Sequence, residues 1–334
     1  MKRRFVIASL VLVVIVLVNV GGFQMMHTDF DVVASVEIAD SRGFAVAHKR
    51  IWFADGGDLF YFNVGQPTAT PRKVLQFDGS IYVLCVAESG NGLVLSRDGL
   101  LEIYEIRDAD NPRLISSFDP PGNPPSHGAL RDGVLAIDSY GGGIDSQHLH
   151  VYDISTPNEP VLLSTVVTTR GASIYDVAII DSLILVANGW DGLTLIGKGD
   201  DNKYGVISKL GLGAYVRGVY AAEKRAYLAV SAAPGIGSEL AIVDIANPAA
   251  PRKIASVETS GGAQDVYVDK HTAFVADRKG GLLALDISDE THPVVVDRYR
   301  CWCNNLSGIG GSLVLTRRTK GYETALEVLA LKRQ

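Results

Sequence analysis

Cysteine is scarce in this chain, with three in 334 residues. That excludes a fold stapled by disulfides, which a large repeat core does not need. Cys85 reads as a buried apolar residue. Cys301 and Cys303 flank Trp302, and on an extended strand their Cβ atoms stand roughly 7 Å apart, so bridging them requires a bend. A basic excess is also missing. The net charge is −6, which argues against a basic face for nucleic acid or anionic lipid. No Gly-x-Ser-x-Gly elbow, phosphate-binding loop or His-Glu-x-x-His occurs, so the familiar signatures of hydrolases, nucleotide enzymes and zinc proteases are absent. No cofactor is expected. Helix signals are nearly absent after the first 26 residues. Short Val-, Ile- and Tyr-rich runs alternate there with Gly, Pro, Asn and Asp, an all-β texture.

One long apolar run is present. Phe5 to Met26 holds 22 residues without charge, after Lys2, Arg3 and Arg4. As a helix it reaches roughly 33 Å, enough for a hydrocarbon core of about 30 Å. The reading is an uncleaved signal anchor over 1–26, with the basic triplet cytoplasmic and residues 27–334 periplasmic or extracellular. A cleaved signal peptide, with secretion, is the competing reading. Val18 to Gly22 offers only a poor small-residue cleavage site, and no Cys follows to accept a lipid. Without the three basic residues the rest of the chain carries −9.

The dominant pattern is a pentad that recurs seven times. It begins at Leu59, Leu101, Leu149, Leu193, Leu240, Leu282 and Leu326, and reads Leu240-Ala-Ile-Val-Asp244 in a well-formed copy. The spacings are 42, 48, 44, 47, 42 and 44 residues, the period of a four-stranded propeller blade. A second phrase follows it, as in Asp244-Ile-Ala-Asn-Pro248 and Asp153-Ile-Ser-Thr-Pro157. There Asp bonds back onto turn backbone and Pro ends the ladder, so the phrase is structural. The seventh unit supplies strands A, B and C and then the chain stops. Val33-Ala-Ser-Val-Glu37 echoes Ile254-Ala-Ser-Val-Glu258, so the first strand after the apolar run is expected to complete the last blade. The expectation is one all-β domain, a seven-bladed β-propeller over 27–334 closed by its N-terminal strand.

The pentad, the Asp-Ile-Ser/Ala-Asn-Pro turn and the strand motif seen at Ala226 and Ala273 resemble the LVIVD-repeat β-propeller family of exported bacterial proteins. The resemblance covers about residues 32 to 331 and is strongest in blades five and six. Blade four departs from it, with Gly197 in place of the Asp. The resemblance implies a propeller outside a membrane and brings no catalytic residue with it.

Function is expected on the face that carries the D-to-A and B-to-C loops. Strand A begins there at Arg42, Tyr175-Asp176, Arg217 and Gln264-Asp265, and strand B ends at Asp55, Asp138, Asn188 and Asp277 among others. These rings of acid and base should surround the channel mouth. The longest loops (119–127, 139–148 and 231–239) lie on the same face, as do His127 and Trp190. The ring residues either bind a ligand or lock neighbouring blades together. His148 and His150 share one side of strand C at a zinc-compatible spacing, but no third ligand is identifiable and no metal site is assigned. Short acidic turns at Asp55 to Asp58 and Asp200 to Asn202 lack the ligands that Ca²⁺ needs.

The leading expectation is non-enzymatic. A membrane-tethered propeller binds a protein or glycan partner in the cell envelope through this face, touching membrane only through its N-terminal helix and binding no nucleic acid. The alternative is a hydrolase or lyase with an Asp/His/Arg site at the channel mouth, where His127 is the candidate base.

Overall fold

The computed structural model describes residues 29–332, apart from 39–40, 48, 65–69, 88, 141–145, 232–236, 310 and 320–323. The expected anchor at 1–26 lies outside the described residues. No helix among the described residues is long and apolar enough to cross a membrane.

Among the described residues, twenty-eight strands form seven antiparallel sheets of four. Six blades run A to D in chain order. Their A strands are Ser41–Ala47, Ile81–Val86, Gly128–Arg131, Asp176–Ile180, Tyr215–Ala222 and Asp265–Asp269. The seventh blade contains Cys303–Ile309, Ser312–Arg318 and Thr324–Lys332, and its D strand is Asp29–Ile38 from the other end of the chain. That strand pairs antiparallel with Thr324–Lys332, setting Val36 opposite Leu326. The closure read from the Val33–Glu37 echo is thus present.

The pentad explains where the core sits. Seven clusters of buried residues are found among the described residues, and each spans the seam between two neighbouring blades. In the pentad at 240–244, Leu240 and Ile242 enter the seam toward blade six, while Ala241 and Val243 enter the seam toward blade four. Alternate side chains leave opposite faces of a strand. A middle strand therefore serves two seams and must be apolar on both faces. The ring closes because Ile38, Val314, Leu326 and Val328 pack against Ile51, Phe53 and Phe62 of blade one.

The Asp-Pro turns fasten the blades. Asp153 and Asp244 accept N–H bonds from the residues two further on, Ser155 (2.9 Å) and Ala246 (3.0 Å). Ser116 and Ser208 on D strands donate to the Pro157 and Pro248 carbonyls of the next blade, both at 2.6 Å. Glu290, in the equivalent turn of blade six, receives Arg225 Nε (2.6 Å) and the Tyr227 hydroxyl (2.7 Å) from blade five.

Candidate functional site

The A strands form the inner ring, each touching the A strands of its neighbours. One edge of an A strand pairs with strand B and the other faces the axis, so its inner N–H groups need acceptors from outside the sheet. Asp176 and Asp265 supply them. Asp176 accepts the N–H of Val219 in blade five (2.8 Å), and Asp265 accepts the N–H of Leu306 in blade seven (2.8 Å). Their other oxygens bond Val177 and Val266. Burial raises both pKa values, against the pull of these N–H groups. Asp265 is raised further by Asp176, to about 8, while Asp176 is tempered by His127 and reaches about 6.

Two other predicted acids hold loops. Asp138 is buried and takes the N–H groups of Ser126 and His127 on Oδ1, at 2.8 Å each. Its Oδ2 meets Ser126 Oγ (3.1 Å) and His127 Nδ1 (3.0 Å). Burial opposes its charge, but the His127 contacts prevail and hold its pKa below the ordinary value; burial likewise lowers His127, whose pKa the Asp138 bond nevertheless raises. Asp277 is fully buried and accepts from Ser260, Gly261 and Gly262, at 3.1, 2.8 and 2.8 Å.

Ser126, His127 and Asp138 have the composition of a hydrolytic triad but not its geometry. Ser126 Oγ and Asp138 Oδ2 both approach the same ring nitrogen, Nδ1, and also bond each other. A relay needs the serine on one imidazole nitrogen and the carboxylate on the other.

The remaining candidates divide between structure and surface. Asn188 donates to Thr194 Oγ1 (2.5 Å), and the Gln264 amide donates to its own loop carbonyls at Gly262 and Ala263 (3.0 Å each). The second pentad residue meets the end of strand B in other blades too: Glu102 with Arg97, His150 with Ser139 and Glu327 with Arg317. His150 is accordingly a core histidine whose second nitrogen meets Thr165 (2.9 Å). Among the described residues no group of three metal-ligating side chains converges. Asp55 ends strand B of blade one. The Arg42 side chain, 141–145 and 232–236 lie outside the described set.

Tyr175, Trp190 and Arg217 do come together. The Arg217 guanidinium lies 4.5 Å from the Tyr175 ring centroid and 5.6 Å from that of Tyr215. Trp190 packs on Tyr215 with centroids 4.9 Å apart and stays 50% exposed. Backbone pairing sets this stack: Gly189 exchanges both hydrogen bonds with Val216, joining the B-to-C loop of blade four to strand A of blade five. Arg278 makes the same exchange with Cys303 between blades six and seven. Sequence reasoning missed Tyr215 and Arg278. Aligning Asn188-Gly-Trp-Asp-Gly192 on Asp277-Arg-Lys-Gly-Gly281 would have found the latter.

Cys301 and Cys303 are free thiols whose interaction lowers the pKa of Cys301 and, with burial, raises that of Cys303. A cleft of about 670 Å³ between blades two and three, lined by Asn91, Tyr104, Arg131 and Ser155 among others, lies on the opposite face and contains none of the predicted residues.

No curated protein matches this chain in sequence. Solved structures resemble it in fold. A chain of the mitotic checkpoint complex superposes with TM-score 0.71 and 11% identity, over 95% of this chain and 100% of that one. The WD40 β-propeller domain of Doa1 gives 0.66 and 12%, over 91% and 97%. The computationally designed Ika8 protein gives 0.62 and 10%, over 84% and 81%. At such identities these likenesses concern the fold alone. The profile of the LVIVD repeat matches residues 213–259 and 260–301, which span blades five and six. The chain carries LVIVD repeats and is a seven-bladed β-propeller.

Proposed function

We propose that this protein is a binding scaffold of the cell envelope that captures a protein partner through the face bearing its D-to-A and B-to-C loops. Propellers of this fold generally mediate protein interactions, and one of the similar chains is part of a complex. The observation that carries the reading is the stack of Trp190 on Tyr215 beside Arg217, with Trp190 half exposed to solvent. Trp, Tyr and Arg are the residues on which interface energy concentrates. The acids that a hydrolase or lyase would need are meanwhile engaged by backbone N–H groups, which favours binding over catalysis.

Membrane tethering belongs to the same proposal and rests on the charge-free run from Phe5 to Met26 behind three basic residues. Full-length protein should sediment with membranes and a chain lacking 1–26 should not. Recovery of both in the soluble fraction argues against the anchor.

The face is tested by photo-crosslinking in cells, with a photoreactive amino acid at position 190 or, on the opposite face, at position 132. A discrete crosslinked protein is expected from 190 and not from 132. Equal products from both positions, or none from 190, would overturn the reading.

A further inference from the structure

We propose that Arg217 and Arg278 form a carboxylate-binding notch, flanked by Trp190 and Trp302, that receives a short acidic segment of a protein partner. The proposal rests on reading this face as the binding face and names the chemistry that the face selects.

Two arginines without an acid partner lie in the same neighbourhood: Arg217 rests on Tyr215, which pairs with Ser231, and Ser231 and the Arg278 stem both border Gly262. Arg217 sits at a bulge inside strand A of blade five, between Val216 and Gly218, and Arg278 lies in the B-to-C loop of blade six. A Cβ built on Gly262 would lie 3.7 Å from Arg278 Cδ and 3.7 Å from Ser231 Oγ, so the Arg278 stem and the end of strand B of blade five border the same glycine. Gly218, next to Arg217, presses against the Gln264 carbonyl and Asp265, bringing the two blades together at this point. Two other arginines of this face are neutralised: Arg97 meets Glu102 at 2.5 Å and Arg317 meets Glu327 at 2.7 Å. Among the described residues neither Arg217 nor Arg278 has a carboxylate partner. Arg217 rests on tyrosine rings, and its Nε is buried without a hydrogen-bond partner. Burial, and then the charge of Arg217, hold the pKa of Arg278 below the usual arginine value.

The backbone is strained at the same residue. Arg278 has φ +47°, where the equivalent residue of blade four is glycine at +50°. A bulky side chain is disfavoured in that region, which seven other non-glycine residues among those described also adopt. Like-charge repulsion and a left-handed arginine therefore coincide, and an anion between the guanidinium groups relieves the first.

The occupant follows from its surroundings. Guanidinium forks bind planar carboxylates through two parallel hydrogen bonds. Trp190 is 50% exposed and Trp302 39% exposed. Trp302 precedes the Cys303 that pairs with Arg278 and carries the Arg318 guanidinium 5.2 Å from its ring centroid, so two partly exposed indoles border the arginines. A body of net negative charge repels a long polyanion but admits a short acidic stretch.

The test is fluorescence anisotropy on the full-length protein with a dye-labelled peptide alternating Glu and Phe. The matching Lys and Phe peptide serves as the charge control, and polyphosphate as the non-peptide anion. The acidic peptide should bind, weaken in high salt, and weaken by about tenfold in Arg278→Gly and in Arg217→Gln. The basic peptide should not bind. Arg278→Gly suits its left-handed backbone, so its melting temperature should equal or exceed that of the wild type. No binding of the acidic peptide, binding unchanged in both variants, or tight binding of polyphosphate in place of the peptide would each sink the notch. The crosslink from position 190 separates the two proposals. Its persistence without peptide binding removes only the notch, while its absence removes the face.

Discussion

Asp277 has its carboxylate enclosed by three backbone N–H groups and no exposed surface. From sequence it was a candidate ligand on a channel rim; in the fold it is the acceptor that gives the 260–262 loop its shape. Replacing it with Ala leaves these donors buried and unsatisfied, so Asp277→Ala should destabilise the protein by about 2–4 kcal/mol, measured by urea unfolding. Asp277→Asn retains one acceptor and should fall between. Little loss in the alanine variant would mean that water satisfies the loop. Asp138 holds 126–127 in the same manner. Tyr175, Trp190 and Arg217 differ, because their contacts are with rings and leave hydrogen-bonding capacity and area unused.

The inner strands carry a pH dependence whose direction is fixed by burial. Asp176 and Asp265 both have pKa values raised above the ordinary carboxylate value, to about 6 and about 8. A carboxyl whose pKa is higher folded than unfolded holds its proton more tightly in the fold. Its stabilisation is complete below the unfolded pKa and is lost as pH rises through the folded one. His127, also raised, acts in the same direction. The lowered carboxyls, such as Asp110 and Asp244, titrate below about pH 4 and do not interfere. His150, whose pKa burial lowers, acts in the opposite direction but is one group against three, so the melting temperature should fall between about pH 4 and pH 8, and Asp265→Asn should flatten that slope. An unchanged slope in the variant would place the titration elsewhere. Packing is equally tight on these strands. A Cβ at Gly218 would meet Asp265 Cα at 2.7 Å and the Gln264 carbonyl at 2.9 Å. Gly218→Ala should accordingly cost about 1–3 kcal/mol by forcing two A strands apart, as read by thermal melting.

At the scale of the whole molecule, the ring is held at one join by two distant pieces of chain. Asp29–Ile38 pairs along Thr324–Lys332, and the seam behind it joins blade seven to blade one. Deleting residues 29–38 exposes the outer edge of Thr324–Lys332, an invitation to edge pairing between molecules. Such a chain should melt lower and self-associate in light scattering, and an added peptide of sequence 29–38 should reverse both. A monomeric deletion variant with unchanged melting would show that the join contributes little.

Sequence alone determined the blade count, the strand order and the unusual closure. Each rests on a local pattern repeated seven times, and repetition makes a weak signal strong: the pentad is apolar on both faces because every middle strand serves two seams. The echo of Ile254–Glu258 in Val33–Glu37 was legible for the same reason. Tertiary structure decided which rim residues are engaged. Asp176, Asp265 and Asp277 look alike in sequence, yet two clamp a neighbouring blade and one shapes a loop, because they accept from N–H groups 15 to 43 residues away. The meeting of Arg217 with Arg278 was likewise invisible, since they lie in different blades at non-equivalent positions. Repeats report what every blade shares, whereas a site is made where blades differ and touch.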